Sequence, residues 1–184
     1  MKEGLLSYWD SLVNDIPHEL YIIALIVFVS SFLISIGLKG FRKGMRYSMA
    51  VLLIEYICLI YCSTVFFRNV RRDIQYDYMP FWSYQAYFDG REPNALIENM
   101  INILVFIPIG VLLGYLIKNK TFNRVTVLGA CISVGIESLQ LIFKKGFSEL
   151  DDVMHNTLGC VIGFGLYKIV STLWVKRKIM IHNV

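Results

Sequence analysis

The sequence predicts an all-α integral membrane protein, built as a bundle of five transmembrane helices. The chain of 184 residues is 56% hydrophobic and only 17% charged, and its apolar residues fall in long uninterrupted runs. Five runs approach the roughly 20 apolar residues that a helix needs to cross a bilayer. Because lipid offers backbone groups no hydrogen-bond partner, each run must be helical. The predicted spans are residues 20–38, 47–67, 100–117, 125–143 and 153–174.

The segment before the first span is not a signal-peptide n-region, because it is mostly polar and carries acids such as Glu3 and Asp10. The first span is therefore predicted to be retained. Met1–Pro17 has apolar residues at helical spacing with Trp9 among them, which fits a short amphipathic helix at the membrane interface or, equally well, a frayed terminus. No repeat or soluble domain is evident, so residues 1–184 are predicted to form one membrane domain.

The distribution of lysine and arginine predicts how the chain crosses the membrane. Loops 39–46 and 118–124 and the tail after Trp174 are basic and contain no acid, which is typical of cytoplasmic segments. The N-terminal segment and loops 68–98 and 144–152 contain acids and are expected outside. The N-terminus is then outside and the C-terminus cytoplasmic. These flanks account for the net charge of +4, so a nucleic-acid partner gains no support.

The long outer loop between the second and third spans, residues 68–98, is rich in aromatic residues. This composition is typical of an aromatic belt at headgroup level, which is the favoured interpretation. A lid over an outward-facing pocket is the functional alternative.

Polar side chains gather at the outer ends of the last three spans. Polar residues within a span are costly, so they are expected to face the bundle interior or a wet cavity and to pair with one another. The sequence therefore predicts one polar site at the outer leaflet. Its candidate residues are Asn102 in the first turn of the third span, Glu137 and Gln140 in the fourth, and Asp151, Asp152, His155 and Asn156 in the fifth.

Helical spacing arranges these residues into stripes. Glu137 and Gln140 share a face, and Asp152 and Asn156 form a stripe beside that of Asp151 and His155. Glu149 needs no more than the role of a charge capping the fifth helix.

Two Gly-x-x-x-Gly motifs beneath this cluster, Gly110 with Gly114 and Gly159 with Gly163, predict a closely packed pair formed by the third and fifth helices. Glu55 is a lone carboxyl in the second span, to which no role is assigned. The four cysteines lie inside apolar runs, where packing is the expected role.

Three segments, "NILVFIPIGVLLGY", "ESLQLIF" and "ELDDVMHNTLGCVIGF", together with "YMPFWSYQAYF", resemble the VanZ-like family of small bacterial membrane proteins. The resemblance covers a core of about residues 51–167. Tyr78 departs from the family pattern, as does the order "GFSE". The matching positions are Pro80, Phe81, Asn102, Phe106, Pro108, Gly110, Glu137, Gln140, Asp151, Asp152, Asn156, Thr157, Gly159 and Gly163.

The resemblance implies a location in the bacterial cell membrane, a role in the cell envelope and an association with resistance to the glycopeptide teicoplanin. Membrane lipids are expected partners, and a peptidoglycan precursor, an envelope lipid or the glycopeptide itself are the ligands considered. The sequence assigns no cofactor and no metal site.

Three functions stay open on the sequence alone. In an enzyme, Glu137 would act as general acid or base, with Asp151 as a further candidate catalytic residue. Asp152 would orient the reacting groups or hold a divalent metal together with Asn156 and Glu137. In a binding protein, the side chains of Asn102, Gln140, His155 and Asn156 would hold a polar headgroup. In a purely structural protein, the acids would only fix how the helices pack.

Overall fold

The fold is all-α, as predicted. The computed structural model describes residues 17–117 and 121–182, with the backbone alone described at Arg42 and at residues 175–182. The predicted amphipathic segment lies outside these residues except for Pro17. The elements in the described ranges are α1 (His18–Lys39), α2 (Phe41–Tyr61), a π-helical turn (Cys62–Phe66), β1 (Tyr76–Asp77), α3 (Trp82–Phe88), α4 (Ala95–Leu116), α5 (Phe122–Phe143), β2 (Ser148–Glu149) and α6 (Leu150–His182).

Five helices are long and apolar enough to cross a membrane, which confirms the five-helix bundle and makes the chain a multi-pass membrane protein. The spanning segments are His18–Lys39, Lys43–Phe66, Ala95–Leu116, Phe122–Phe143 and Leu150–Trp174. α4 starts five residues before the predicted apolar run (residue 95 against residue 100) because it includes a polar first turn. Consequently Asn102 lies about 10 Å along this helix rather than in its first turn.

The connection between the first two spans is much shorter than the predicted loop 39–46. α1 ends at Lys39 and α2 begins at Phe41, so Gly40 alone joins them. Gly40 has φ 73°, a left-handed conformation that glycine adopts without steric cost. Basic residues assigned to the loop, such as Lys43 and Arg46, therefore belong to the first turns of α2.

α4 and α6 pack backbone against backbone, as the two glycine motifs predict. A Cβ atom added to Gly110 would overlap the carbonyl oxygen of Cys160, and one added to Gly159 would overlap that of Ile103. Only glycine permits such an approach, and close van der Waals packing is what holds helices together in lipid.

Tyrosine hydroxyl groups fix α2 to this pair and to α5. Tyr56 donates a hydrogen bond to the carbonyl oxygen of Val105 in α4 at 2.9 Å, and Tyr61 donates to that of Ile132 in α5 at 3.0 Å. The buried core between these helices is apolar. It includes Leu53, Ile60, Val65, Phe106, Ile109, Leu113, Val125, Ile136, Cys160 and Phe164.

The segment between α2 and α4 is folded against the start of α6. β1 and β2 pair in parallel, with Tyr76 opposite Ser148 and Asp77 opposite Glu149. The short helix α3 follows β1, and the Trp82 ring packs edge-on against Phe147 at 5.2 Å between centroids. This segment therefore forms a cover at the end of the bundle where α2 and α5 end and where α4 and α6 begin.

Candidate functional site

Two cavities open at this covered end of the bundle. The apolar cavity, of about 210 Å³, reaches between the helices and carries its polar groups at one side. It is lined by Tyr21, Tyr56, Leu59, Ile60, Ser63, Thr64, Arg68, Ile101, Asn102, Val105, Phe106, Ile136, Glu137, Gln140, Asp152 and Asn156. The polar cavity, of about 660 Å³, lies towards the cover. It is lined by Arg68, Arg71, Ile74, Gln75, Tyr76, Trp82, Ser83, Glu92, Ala95, Glu98, Asn99, Phe147, Glu149 and Asp152.

Five of the seven candidate residues line the apolar cavity, so the structure brings together side chains from three helices. α4 contributes Asn102, α5 contributes Glu137 and Gln140, and α6 contributes Asp152 and Asn156. The common depth of these residues in their spans is what places them together. Asp151 and His155 lie elsewhere.

The two carboxyl groups of the apolar cavity have different partners. Glu137 is buried, and its Oε2 accepts a hydrogen bond from the backbone N–H of Glu149 at 3.0 Å. Asp152 is partly buried, and its Oδ1 accepts a hydrogen bond from Asn102 Nδ2 at 2.7 Å. Glu137 is therefore anchored to the backbone before α6, whereas Asp152 ties α6 to α4.

The amide side chains of the site are oriented by protein acceptors. Asn156 Nδ2 donates to Ser133 Oγ at 2.8 Å, and Gln140 Nε2 donates to the carbonyl oxygen of Thr64 at 3.1 Å. In each amide, the nitrogen therefore faces this acceptor and the oxygen does not. Gln140 is 4% exposed, and its Oε1 has no hydrogen-bond partner among the described residues.

Asp151 holds the cover in place rather than lining a cavity. Its carboxylate accepts the backbone N–H of Phe81 at 2.6 Å, the backbone N–H of Ser83 at 2.8 Å and the Ser83 hydroxyl at 2.6 Å. Asn99 Nδ2 donates to the same Ser83 hydroxyl oxygen at 2.9 Å. Phe81 has φ 64°, a strained conformation for a residue with a bulky side chain, and Asp151 supports it directly.

His155 also contacts the cover, through Tyr84 of α3. Its Nδ1 lies 2.6 Å from the carbonyl oxygen of Asp151, which can only accept, so Nδ1 carries a proton. Nε2 lies 2.8 Å from the Tyr84 hydroxyl and, when the ring is neutral, accepts a hydrogen bond from it. The stripe of Asp151 and His155 thus binds the cover, whereas the stripe of Asp152 and Asn156 faces the apolar cavity.

Arg68 is the principal site residue that sequence reasoning missed. It lines both cavities, as does Asp152, and it follows the π-helical turn that ends the second span. Nothing in the local sequence separates it from the arginines at positions 71 and 72. Its position at a span end, level with intramembrane acids, was the available signal.

Glu149 is more than a capping charge in this structure. It lies in β2, lines the polar cavity and is surrounded by other acids. Burial is the largest cause that raises the pKa of Glu149 to about 8, and the neighbouring carboxylates of Asp152 and Glu98 add to it. The group is therefore mostly protonated at neutral pH.

Among the residues whose side chains the structure describes, no group of three or more His, Cys, Asp or Glu side chains is arranged to hold a metal ion. The carboxyls of Glu137 and Asp152, one an acceptor for a backbone N–H and the other for an amide, are instead suited to binding hydrogen-bond donors or cations, or to exchanging a proton with a ligand.

Comparison with known proteins gives the family. The VanZ/LLP1 family profile matches residues 53–171, well over half of the chain. The chain belongs to the VanZ/LLP1 family. Protein VanZ from Enterococcus faecium is 30% identical over 82 residues, which is 45% of this chain and 51% of that protein. The chain therefore matches about half the length of this curated relative, and no solved structure matches it.

The VanZ/LLP1 match contains both cavities almost entirely. Every described lining residue of the polar cavity falls within residues 53–171, and so does every one of the apolar cavity except Tyr21 of α1. Helix α1 lies outside the matched region. The part of the chain that defines the family is thus also the part that builds the candidate site.

Proposed function

We propose that this VanZ-like protein acts in the bacterial cell envelope and contributes to teicoplanin resistance by binding an envelope lipid or a lipid-linked peptidoglycan precursor. One observation carries the proposal: an apolar cavity between the helices and a polar cavity under the cover share Arg68 and Asp152. An amphiphile has the matching shape, with an apolar chain that needs a dry wall and a polar head that needs hydrogen bonds.

The polar groups that line the apolar cavity favour a ligand with a polar headgroup over a purely apolar ligand. Glu137, Gln140 and Asn156 are all buried and line the apolar cavity. Burying such groups against a purely apolar ligand would cost the hydrogen bonds that water gives them. A headgroup that replaces those bonds removes this cost, and an apolar tail adds contact with Ile101, Phe106 and the other apolar lining residues.

The distribution of positive charge supports an outward-facing site. Lys39, Lys43 and Arg46 lie at the opposite end of the bundle from the cavities, close to the turn at Gly40. Positive residues favour the cytoplasmic side, so the cavities would open to the outer leaflet. A cysteine at Ile74, which is exposed at the polar cavity, should then react with a membrane-impermeant maleimide in intact cells. Reaction only after the cells are broken would place the site in the cytoplasm.

Catalysis on the bound amphiphile is the second candidate, because Glu137 and Asp152 line one cavity with unlike partners. Two carboxyls in unlike environments can divide the roles of proton donor and proton acceptor. The same residues would then hydrolyse or transfer a group of the ligand rather than only hold it.

The experiment that tests the proposed function replaces each carboxyl by its isosteric amide. Glu137→Gln and Asp152→Asn keep size and most hydrogen bonds but remove the charge. We expect both variants to lose teicoplanin resistance while their abundance in the membrane stays near wild type. Glu55→Gln is the matched control, because Glu55 is also a carboxyl within a span but lines a separate cavity between α1 and α2. Full resistance in both site variants would leave the acids with a structural role only.

A further inference from the structure

Three of the side-chain hydroxyl groups that line the apolar cavity, those of Tyr56, Ser63 and Thr64, donate their protons to backbone carbonyl oxygens. Tyr56 donates to the carbonyl oxygen of Val105 at 2.9 Å. Ser63 and Thr64 both donate to the carbonyl oxygen of Ile60, at 3.0 Å and 2.7 Å. Each hydroxyl has a single O–H, so these three side chains present only lone pairs to the cavity.

Each amide side chain of the apolar cavity also donates one N–H to an acceptor of the protein. Asn102 donates to Asp152, Asn156 donates to Ser133, and Gln140 donates to Thr64. Each amide keeps one further N–H, and its oxygen is still able to accept a hydrogen bond. The Gln140 side chain is 4% exposed, and its Oε1 has no hydrogen-bond partner in the described part of the chain. A buried acceptor of this kind is open to a hydrogen-bond donor from a water molecule or from a ligand.

The charges of the two cavities point the same way. Glu137 and Asp152 line the apolar cavity, where Arg68 is the only cation among the described lining residues. The polar cavity adds two further acids, Glu92 and Glu98, but only one more arginine, Arg71. Glu149 also lines it, but its raised pKa leaves it mostly uncharged at neutral pH. A ligand group that brings one positive charge and several N–H donors would balance this excess of carboxylates, whereas an anion would be repelled by it.

We propose that the ligand of these cavities is an amphiphile whose polar head carries a primary ammonium group, which is held between Glu137, Asp152 and the free Oε1 of Gln140. This inference rests on the proposed function and specifies its ligand class. A primary ammonium has three N–H donors and one charge, which match two carboxylates, one of them offset by Arg68, and one unfilled amide oxygen. An aminolipid and an amine-bearing lipid-linked peptide share this chemistry.

Four short amphiphiles separate charge from hydrogen bonding. Hexylammonium has both, hexyltrimethylammonium has the charge without N–H donors, hexanol has a donor without charge, and hexyl phosphate has the opposite charge. Binding of each to the purified full chain in a neutral detergent is measured by titration calorimetry. We expect hexylammonium to bind at least ~10-fold more tightly than the other three, as one charge-assisted hydrogen bond is enough for that ratio.

Variants locate the binding group. Asp152→Asn and Gln140→Leu should each reduce the preference for hexylammonium to less than about threefold, because each removes part of a charge-assisted contact. Thermal unfolding of each variant shows whether it is folded, and Asp152→Asn keeps the test decisive if Gln140→Leu is not. Glu55→Gln, outside both cavities, should retain the full preference.

The outcomes separate this inference from the proposed function. Equal binding of hexylammonium and hexyltrimethylammonium, or tighter binding of hexanol or hexyl phosphate, would overturn the ammonium site while an amphiphile site remains. A preference for hexylammonium that survives in Asp152→Asn would also overturn it. Binding of none of the four compounds would contradict both the ammonium site and the amphiphile site.

Discussion

Asp151 is predicted to be the residue that keeps the cover docked on the bundle. Its carboxylate accepts three hydrogen bonds from Phe81 and Ser83, and the side chain is 1% exposed. In Asp151→Asn, one side-chain oxygen remains an acceptor, but the new amide N–H₂ faces donors. At least one backbone N–H, that of Phe81 or that of Ser83, then loses its partner.

The magnitude follows from these bonds. A buried donor left unsatisfied costs about 1–3 kcal/mol, and the remaining bonds weaken because they no longer reach a charge. The strained φ of Phe81 loses its support as well. We therefore expect docking of the cover to weaken by about 2–4 kcal/mol, which corresponds to a loss of amide protection of about 30- to 1000-fold.

Hydrogen–deuterium exchange of peptides from residues 76–94 measures this change. The matched control is Asp89→Asn in the same segment, because Asp89 pairs with Arg91 at the surface, where the side chains are 62% and 53% exposed. An exposed pair contributes about 0–1 kcal/mol, so protection in the control should fall no more than about fivefold. Exchange in Asp151→Asn that matches the control would refute the docking role of Asp151.

Two further predictions concern packing and pH. Gly163→Ala should sharply reduce folded yield in detergent, because its Cβ would overlap the carbonyl oxygen of Ile107, whereas Gly165→Ala, which points into open space, should leave the yield unchanged. Equal yields would contradict the close pairing of α4 and α6. Burial raises the pKa of Glu149 from 4.5 to about 8, so the folded protein binds a proton that the unfolded chain releases, and stability should fall as pH rises through this interval. Thermal unfolding between about pH 5 and 9 should show a smaller fall in Glu149→Gln, and identical slopes would contradict the shift.

The sequence was sufficient to predict the spans and the depth of the polar groups. Hydropathy fixes which segments enter lipid, and residue number then fixes depth, which is why Asn102, Glu137 and Asp152 could be expected at one level. The glycine motifs predicted the close packing of α4 against α6, because backbone contact in lipid requires small residues.

The sequence could not show which polar stripe faces which neighbour. Asp151 and Asp152 are adjacent in the chain but point about 100° apart around the helix. Which direction faces the cavity depends on how α6 is rotated against α4 and the cover, and that rotation is set by long-range contacts such as those of Ser83 and Asn102. Arg68 was missed for the same reason, since a loop residue has no helical face to predict.

For loop 68–98 the sequence offered a lid over the pocket only as the alternative to an aromatic belt, and it could not show how the segment folds. Its aromatic residues suggested an interfacial belt, yet Trp82 and Tyr84 contact Phe147 and His155. The parallel pairing of β1 with β2 joins segments about 70 residues apart and involves only two residues on each side. Such short pairings leave no periodic pattern in a sequence.

The central claim is that one amphiphile occupies both cavities, and site-specific photocrosslinking tests it most directly. A photoreactive amino acid replaces Val105 in the apolar cavity or Ile74 in the polar cavity, and Val170, which is 64% exposed on the lipid-facing side of α6, serves as the control. After irradiation of whole cells, mass spectrometry of the purified protein should find the same adduct at Val105 and Ile74, enriched over the bulk lipids that label Val170. Different adducts at the two cavity positions, or only the bulk lipids seen at Val170, would contradict the account.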